Sequence, residues 1–390
     1  MKIKELINFE IKKVLNIKKV IVLSCLTITV LGGLFVFSLK TTDIYTRNGS
    51  VLDIIQQIQY KRQNMTKLSD NLTDEALQKS VKEFQNIVRD DKNIDSNGNL
   101  VIQSSEQINS FNINSDLAYL VVRTYSPLYT FDPSVLDSIN IDTIKIDDIQ
   151  TNRLLRLKEI NPDYQENVNK DKNFKSGYSL GWQTLLNDLS YIQIFVMIIC
   201  AIFSTSFFDI EKKNKVDPLL KTSSLSPENL HGVKLISCIS TVTMYYWLVI
   251  LLYTLLKLSI YGFEGSNLMI QTSYLFWLSS MTITFAQAFI INALVGYLAI
   301  LFISVLSLLL SKLINKKYIS DLFVLIFIFF PLMLNNYPQI CIFPTNVIQL
   351  SGNILNFNWI CGINYIYILP LIMIFGILIM IFFILKERKV

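Results

Sequence analysis

The sequence holds a single histidine, His231, with no second histidine or cysteine near it. Structural zinc sites draw on several such ligands, and a histidine-based dyad needs a partner, so neither is expected; His231 reads as a solvated residue at the membrane surface. No GxxxxGK[ST] stretch occurs, which excludes ATP binding through a phosphate loop in this chain. Dense Lys/Arg tracts and basic–aromatic stripes are missing too, so nucleic acid is not an expected partner. Five cysteines form no ligand pattern, and Cys25, Cys200 and Cys238 fall inside apolar runs, where they read as small hydrophobes. Charge is scarce overall, at 17% of 390 residues.

Apolar sequence takes its place. Hydrophobic residues make up 52% of the chain, mean hydropathy is +0.42, and the apolar residues gather in runs. A run of about 20 residues crosses a hydrocarbon core about 30 Å thick. Six runs qualify: Val20–Leu39, Leu189–Phe208, Leu235–Leu256, Thr284–Leu310, Leu322–Leu334 and Tyr365–Leu385. The fifth is short and contains Pro331. The residues just before the fourth, with Tyr274 and Trp277, suit the headgroup belt. Charge inside the runs is almost absent, which argues against an ion or proton path. Lys257, at one end of the third, can snorkel. Gln287 and Asn292 in the fourth are the intramembrane polar candidates, with interhelical hydrogen bonding as their simplest role.

Lysine placement gives the orientation. Residues 1–19 carry six Lys, Asp209–Lys234 carries five, and further Lys/Arg follow the fourth and sixth runs, whereas Tyr261–Leu275 and Asn335–Asn364 carry none. Six spans with both termini in the cytosol satisfy this pattern. Residues 40–188 then lie outside, with 17 Lys/Arg against 21 Asp/Glu. The expected fold is an α-helical integral membrane protein with six transmembrane helices, and a mixed, mainly helical extracellular domain between the first and second. In that domain Leu77, Val81, Phe84 and Val88 mark a helix capped by Thr73 or Asp74, "NLVIQS" after Asn97-Gly98 reads as a strand, and "LAYLVVRTY" fits strand or helix. Residues 1–19 form an amphipathic helix at the inner membrane surface, with Glu10 on the edge of its apolar face. The outer loop 335–364 suits a re-entrant hairpin. It holds Cys341 and Cys361, for which a disulfide is chemically allowed and two unpaired, half-buried thiols are the alternative.

The cytosolic segment 209–234 contains two proline starts. Asp217-Pro218 caps a short helix with Leu219 and Leu220 adjacent, and Ser226-Pro227 opens a second helix that continues through Lys234 into the third span. The segment is expected to present Glu211, Lys212, Lys213 and the two leucines to the cytosol.

The pattern Glu211-Lys212, Leu219-Leu220, Ser223-Ser224-Leu225-Ser226, Gly232 and Lys234 resembles the loop of ABC-2 type exporter permeases, and "INFEIKKVLNIKKVIVL", including Glu10, is similar to that family's N-terminal helix. The order of anchor, outer domain and five further spans is also similar. Family loops usually carry Gly-Thr near Lys215-Val216 and an Arg where Pro227 stands. The resemblance implies a permease subunit without catalytic residues of its own, in a bacterial plasma membrane, paired with a second permease chain and surrounded by membrane lipid. A separate ATP-binding subunit would hold ATP and Mg and would seat Glu211, Lys212, Lys213, Pro218, Leu219 and Leu220, with Glu10 on the interfacial helix. The cargo would be a peptide, antibiotic or lipid-like molecule. The competing expectation is a non-transport sensor, immunity or surface-interaction protein acting through its outer domain.

Overall fold

The computed structural model describes residues 3–39, 53–70, 73–90, 93, 102, 104–126, 134–160, 177–213, 227–273, 275–277, 279, 282–314, 316–333, 359–360 and 363–386. Tyr274, Pro218, Leu219, Leu220, Cys341, Cys361 and the expected strand "NLVIQS" with its Asn97-Gly98 turn lie outside the described residues, apart from positions 102 and 104. The chain runs through α1 (Ile3–Val14), α2 (Ile17–Phe37), α3 (Ile54–Asp70), α4 (Asp74–Arg89), α5 (Ser105–Tyr125), α6 (Val135–Ser138), α7 (Ile146–Ile160), α8 (Leu180–Lys213), α9 (Pro227–Tyr261), α10 (Phe285–Leu313), α11 (Lys317–Met333) and α12 (Tyr365–Leu385). A two-residue ladder, β1 (Trp359–Ile360) against β2 (Ile363–Asn364), leads into α12.

Five helices (α2, α8, α9, α10 and α12) are long and apolar enough to cross a membrane, and Tyr318–Pro331 in α11 is a shorter apolar helix. Their outward faces carry large exposed apolar side chains, among them Leu251, Leu255, Ile326, Phe330, Phe375 and Phe382. This is the build of a multi-pass α-helical membrane protein. α8 and α10 form the centre, with α9, α11 and α12 against them. α2 stands at the edge: 6% of its apolar window is buried, against 61% for α8.

The helices outrun the apolar sequence at both ends. α8 starts at Leu180 and α9 runs from Pro227 to Tyr261, so each rises about 50 Å at 1.5 Å per residue, well beyond a hydrocarbon core. The lone break near the N-terminus falls at Leu15-Asn16, where the Asn16 side chain accepts from the Lys19 amide at 2.9 Å and starts α2. α10 begins with a capping box: Thr284 Oγ1 accepts from the Gln287 amide, and the Gln287 side chain accepts from the Thr284 amide at 3.0 Å. Gln287 is therefore a capping residue rather than a midspan group. Thr284→Ala removes one of these bonds and is expected to cost about 1 kcal/mol in thermal unfolding; an unchanged melting temperature would contradict that role.

Helices α4–α7 build a helical domain around Leu77, Val81, Phe84, Leu117, Leu120 and Val121, with α3 against α5. Thr73 caps α4, Asp74 accepts instead from the Ile146 amide, and "LAYLVVRTY" is helix α5. The domain sits on the connection between α9 and α10. Trp277 is buried in its core rather than lying in a headgroup belt, Arg153 donates to the Ser279 carbonyl at 3.2 Å, and Arg62 pairs with Glu264.

Candidate functional site

Glu211, Lys212 and Lys213 do not open a loop. They end α8. Lys213 is exposed, but Glu211 is only 6% exposed, which corrects the expectation that it faces the cytosol. Its carboxylate joins three helices. One oxygen accepts from Lys13 of α1 at 2.7 Å, and the other pairs with Lys234 of α9. Glu10, on the same face of α1, also holds Lys13, at 2.8 Å. Its buried position explains why it breaks the apolar stripe: α1 lies against α9 and α8, and that interface contains charge. Lys234 further stands 4.4 Å from the ring centre of Phe208. The His231 ring meets the same phenylalanine edge-on at 5.5 Å, so it is half-buried rather than solvated.

Lys212 is not a free cation either. Its ammonium donates to the carbonyls of Ser311, Lys312 and Ile314 at the end of α10. Lys312 in turn donates to Ile384 at 2.6 Å and Lys386 at 2.9 Å at the end of α12, and Lys19 donates to Val14 at the end of α1 at 3.1 Å. The last turn of a helix leaves carbonyls without partners and carries partial negative charge. The lysines that read as an orientation signal thus also cap the helices that end at this side of the bundle.

No family model, characterised protein or solved structure matches this chain.

The opposite end of the bundle holds a second buried ion pair that the sequence did not reveal. Lys257 is fully buried rather than snorkelling. Its ammonium lies 2.9 Å from Asp188 of α8 and donates to Ser38 Oγ at 2.6 Å, at the end of α2. The Tyr253 hydroxyl also donates to Asp188, at 2.7 Å. Asp188 sits well inside α8, because that helix begins eight residues before it. Between the two charge clusters lies a neutral one. Gln193 of α8 donates through Nε2 to the Tyr246 hydroxyl and the Asn292 carbonyl, each at 3.2 Å, and Tyr246 donates to the Ala293 carbonyl at 2.6 Å. Gly296 makes this possible, since a Cβ there would run into the Gln193 amide. Asn292 takes part through its backbone, and the polar side chains of this cluster come from Gln193 of α8 and Tyr246 of α9.

Among the described residues no group of three or more His, Cys, Asp or Glu is placed to hold a metal ion. Each charged cluster joins separate helices: α1, α8 and α9 at one end, α2, α8 and α9 at the other. Each cluster ties its three helices to one another.

Proposed function

We propose that this chain is the membrane subunit of an ATP-driven exporter of the ABC-2 type. In this reading it has six spans, with α11 as the short fifth, both termini in the cytosol of a bacterial cell and residues 40–188 outside. A separate subunit holds ATP and Mg and pushes on segment 214–226, and a second permease chain completes the path. The observation that carries the reading is the position of Glu211. Segment 214–226 is rooted in the end of α8 and the start of α9, and Glu211 clamps these two helices to each other and to α1. A force on the segment therefore reaches three helices as one body rather than being lost in a hinge. Glu211 and Lys212 act as the anchor of the lever. Contact with the ATPase falls to Pro218, Leu219, Leu220 and exposed Lys213.

Tagged full-length chain, purified from its native membranes and assayed for a co-purifying phosphate-loop ATPase, tests this. Leu219→Ala with Leu220→Ala is expected to lower ATPase stimulation about tenfold or more, the scale of losing an interface anchor. Stimulation that persists, or an ATPase that never co-purifies, sinks the coupling role; loss of activity on removing the outer domain in that setting points to a surface sensor.

A further inference from the structure

A cavity of about 530 Å³ lies between the outer domain and the ends of α2 and α8, a size that accepts one drug-sized molecule or a single acyl chain. The bundle side mixes apolar Leu34, Phe37, Leu180 and Tyr191 with polar Gln183, Thr184 and Asn187, and Phe37 and Tyr191 are each more than half exposed, so the apolar strip is open on the outside of the bundle. The facing wall comes from α3 and α5 and offers Lys61, Asn112, Ser115, Asp116 and Tyr119. Lys61 and Asp116 stand 3.8 Å apart, at the outer limit of an ion pair, so each keeps capacity for a second partner. Burial, and then the Asp116 charge, push the Tyr119 pKa up, which keeps the phenol a donor. Asp188 also faces the cavity, but Lys257 neutralises it. The lining thus presents one positive and one negative group beside a strip of apolar side chains.

We propose that this cavity binds a single-tailed amphiphile with a zwitterionic head, the tail against α2 and α8 and the head between Lys61 and Asp116. Its anionic group takes the Lys61 ammonium and its cationic group takes the Asp116 carboxylate. A volume of about 530 Å³ with one paired-charge patch matches one tail and one head. Binding needs no ATPase; the further step of calling the site a stop on an export path rests on the exporter reading above.

The test uses the purified full chain in phosphatidylcholine nanodiscs and a lysophosphatidylcholine with a photoactivatable tail. Crosslinks are expected on α2, α3 and α8 at the cavity. Asn187→Trp, at an exposed lining position, is expected to fill the slot and cut labelling about tenfold, and Lys61→Gln and Asp116→Asn to cut it about fivefold each. Melting curves identify a variant that fails to fold; Asn187→Trp and Lys61→Gln act at opposite walls, so one misfolded variant leaves the other to decide. Labelling unchanged by the folded variants overturns the site. Equal labelling by a diacyl probe overturns the single tail, and displacement by a plain fatty acid as effective as by unlabelled lysolipid overturns the zwitterionic head. These outcomes are independent of whether an ATPase co-purifies.

Discussion

Replacing Glu211 with glutamine is expected to destabilise the protein by about 3–5 kcal/mol, the cost of breaking a buried ion pair from one side. The change keeps the shape and removes the charge. Lys234, with a side chain 1% exposed, is then left as a cation against Phe208 with no carboxylate on it. Lys13 retains Glu10, so most of the loss belongs to the α8–α9 contact. The double variant Glu211→Gln with Lys234→Met is expected to recover most of the stability, because it removes the stranded charge together with its partner. Thermal unfolding in detergent micelles measures both. A loss below about 1 kcal/mol for Glu211→Gln, the range of solvated surface pairs, contradicts a buried clamp. On the exporter reading the double variant separates two roles: a folded protein that no longer couples shows that the charges carry motion as well as stability.

Lys257→Met is expected to cost a similar amount, about 3–5 kcal/mol, and to act at the opposite end. It strands the Asp188 carboxylate, which keeps the Tyr253 hydroxyl, and it removes the donor from Ser38 at the end of α2. α2 is the least buried span, and what would remain to tie it to α9 is the Thr27–Tyr245 hydroxyl pair at 2.8 Å and a long Ser38–Tyr253 hydroxyl contact at 3.5 Å. Amide hydrogen exchange over residues 30–38 should therefore rise while exchange in α8 and α10 stays low. A snorkelling lysine would lose nothing of this kind, so unchanged exchange at the end of α2 together with unchanged melting would restore that simpler account.

Much of the architecture was legible because it is local. Apolar runs, cap residues such as Thr73 and Asn16 and the proline at 227 act within a few residues of themselves, and the helices start or extend where those signals stand. Span boundaries were too short because hydropathy tracks the hydrocarbon, whereas the helix continues as long as its backbone bonds are satisfied. For that reason Glu211 and Asp188 were placed outside helices that in fact contain them. "LAYLVVRTY" was ambiguous in sequence because it has neither a period of two nor of 3.6, and packing against α4 settled it as helix.

The sequence by itself determined that this is a helical, membrane-type chain, where its apolar runs stand, and at which ends its lysines gather. Each of these is a property of neighbouring residues and of their transfer from water. Only the tertiary structure decided which charges are solvated and which are clamps. Lys13 meets Glu211 across 198 positions, and Lys257 meets Ser38 across 219. No short-range pattern encodes a partner at that separation. An isolated charge in an apolar setting is costly, so the fold had to bring each one a counter-charge from another helix, and that choice of partner exists only once the helices are packed.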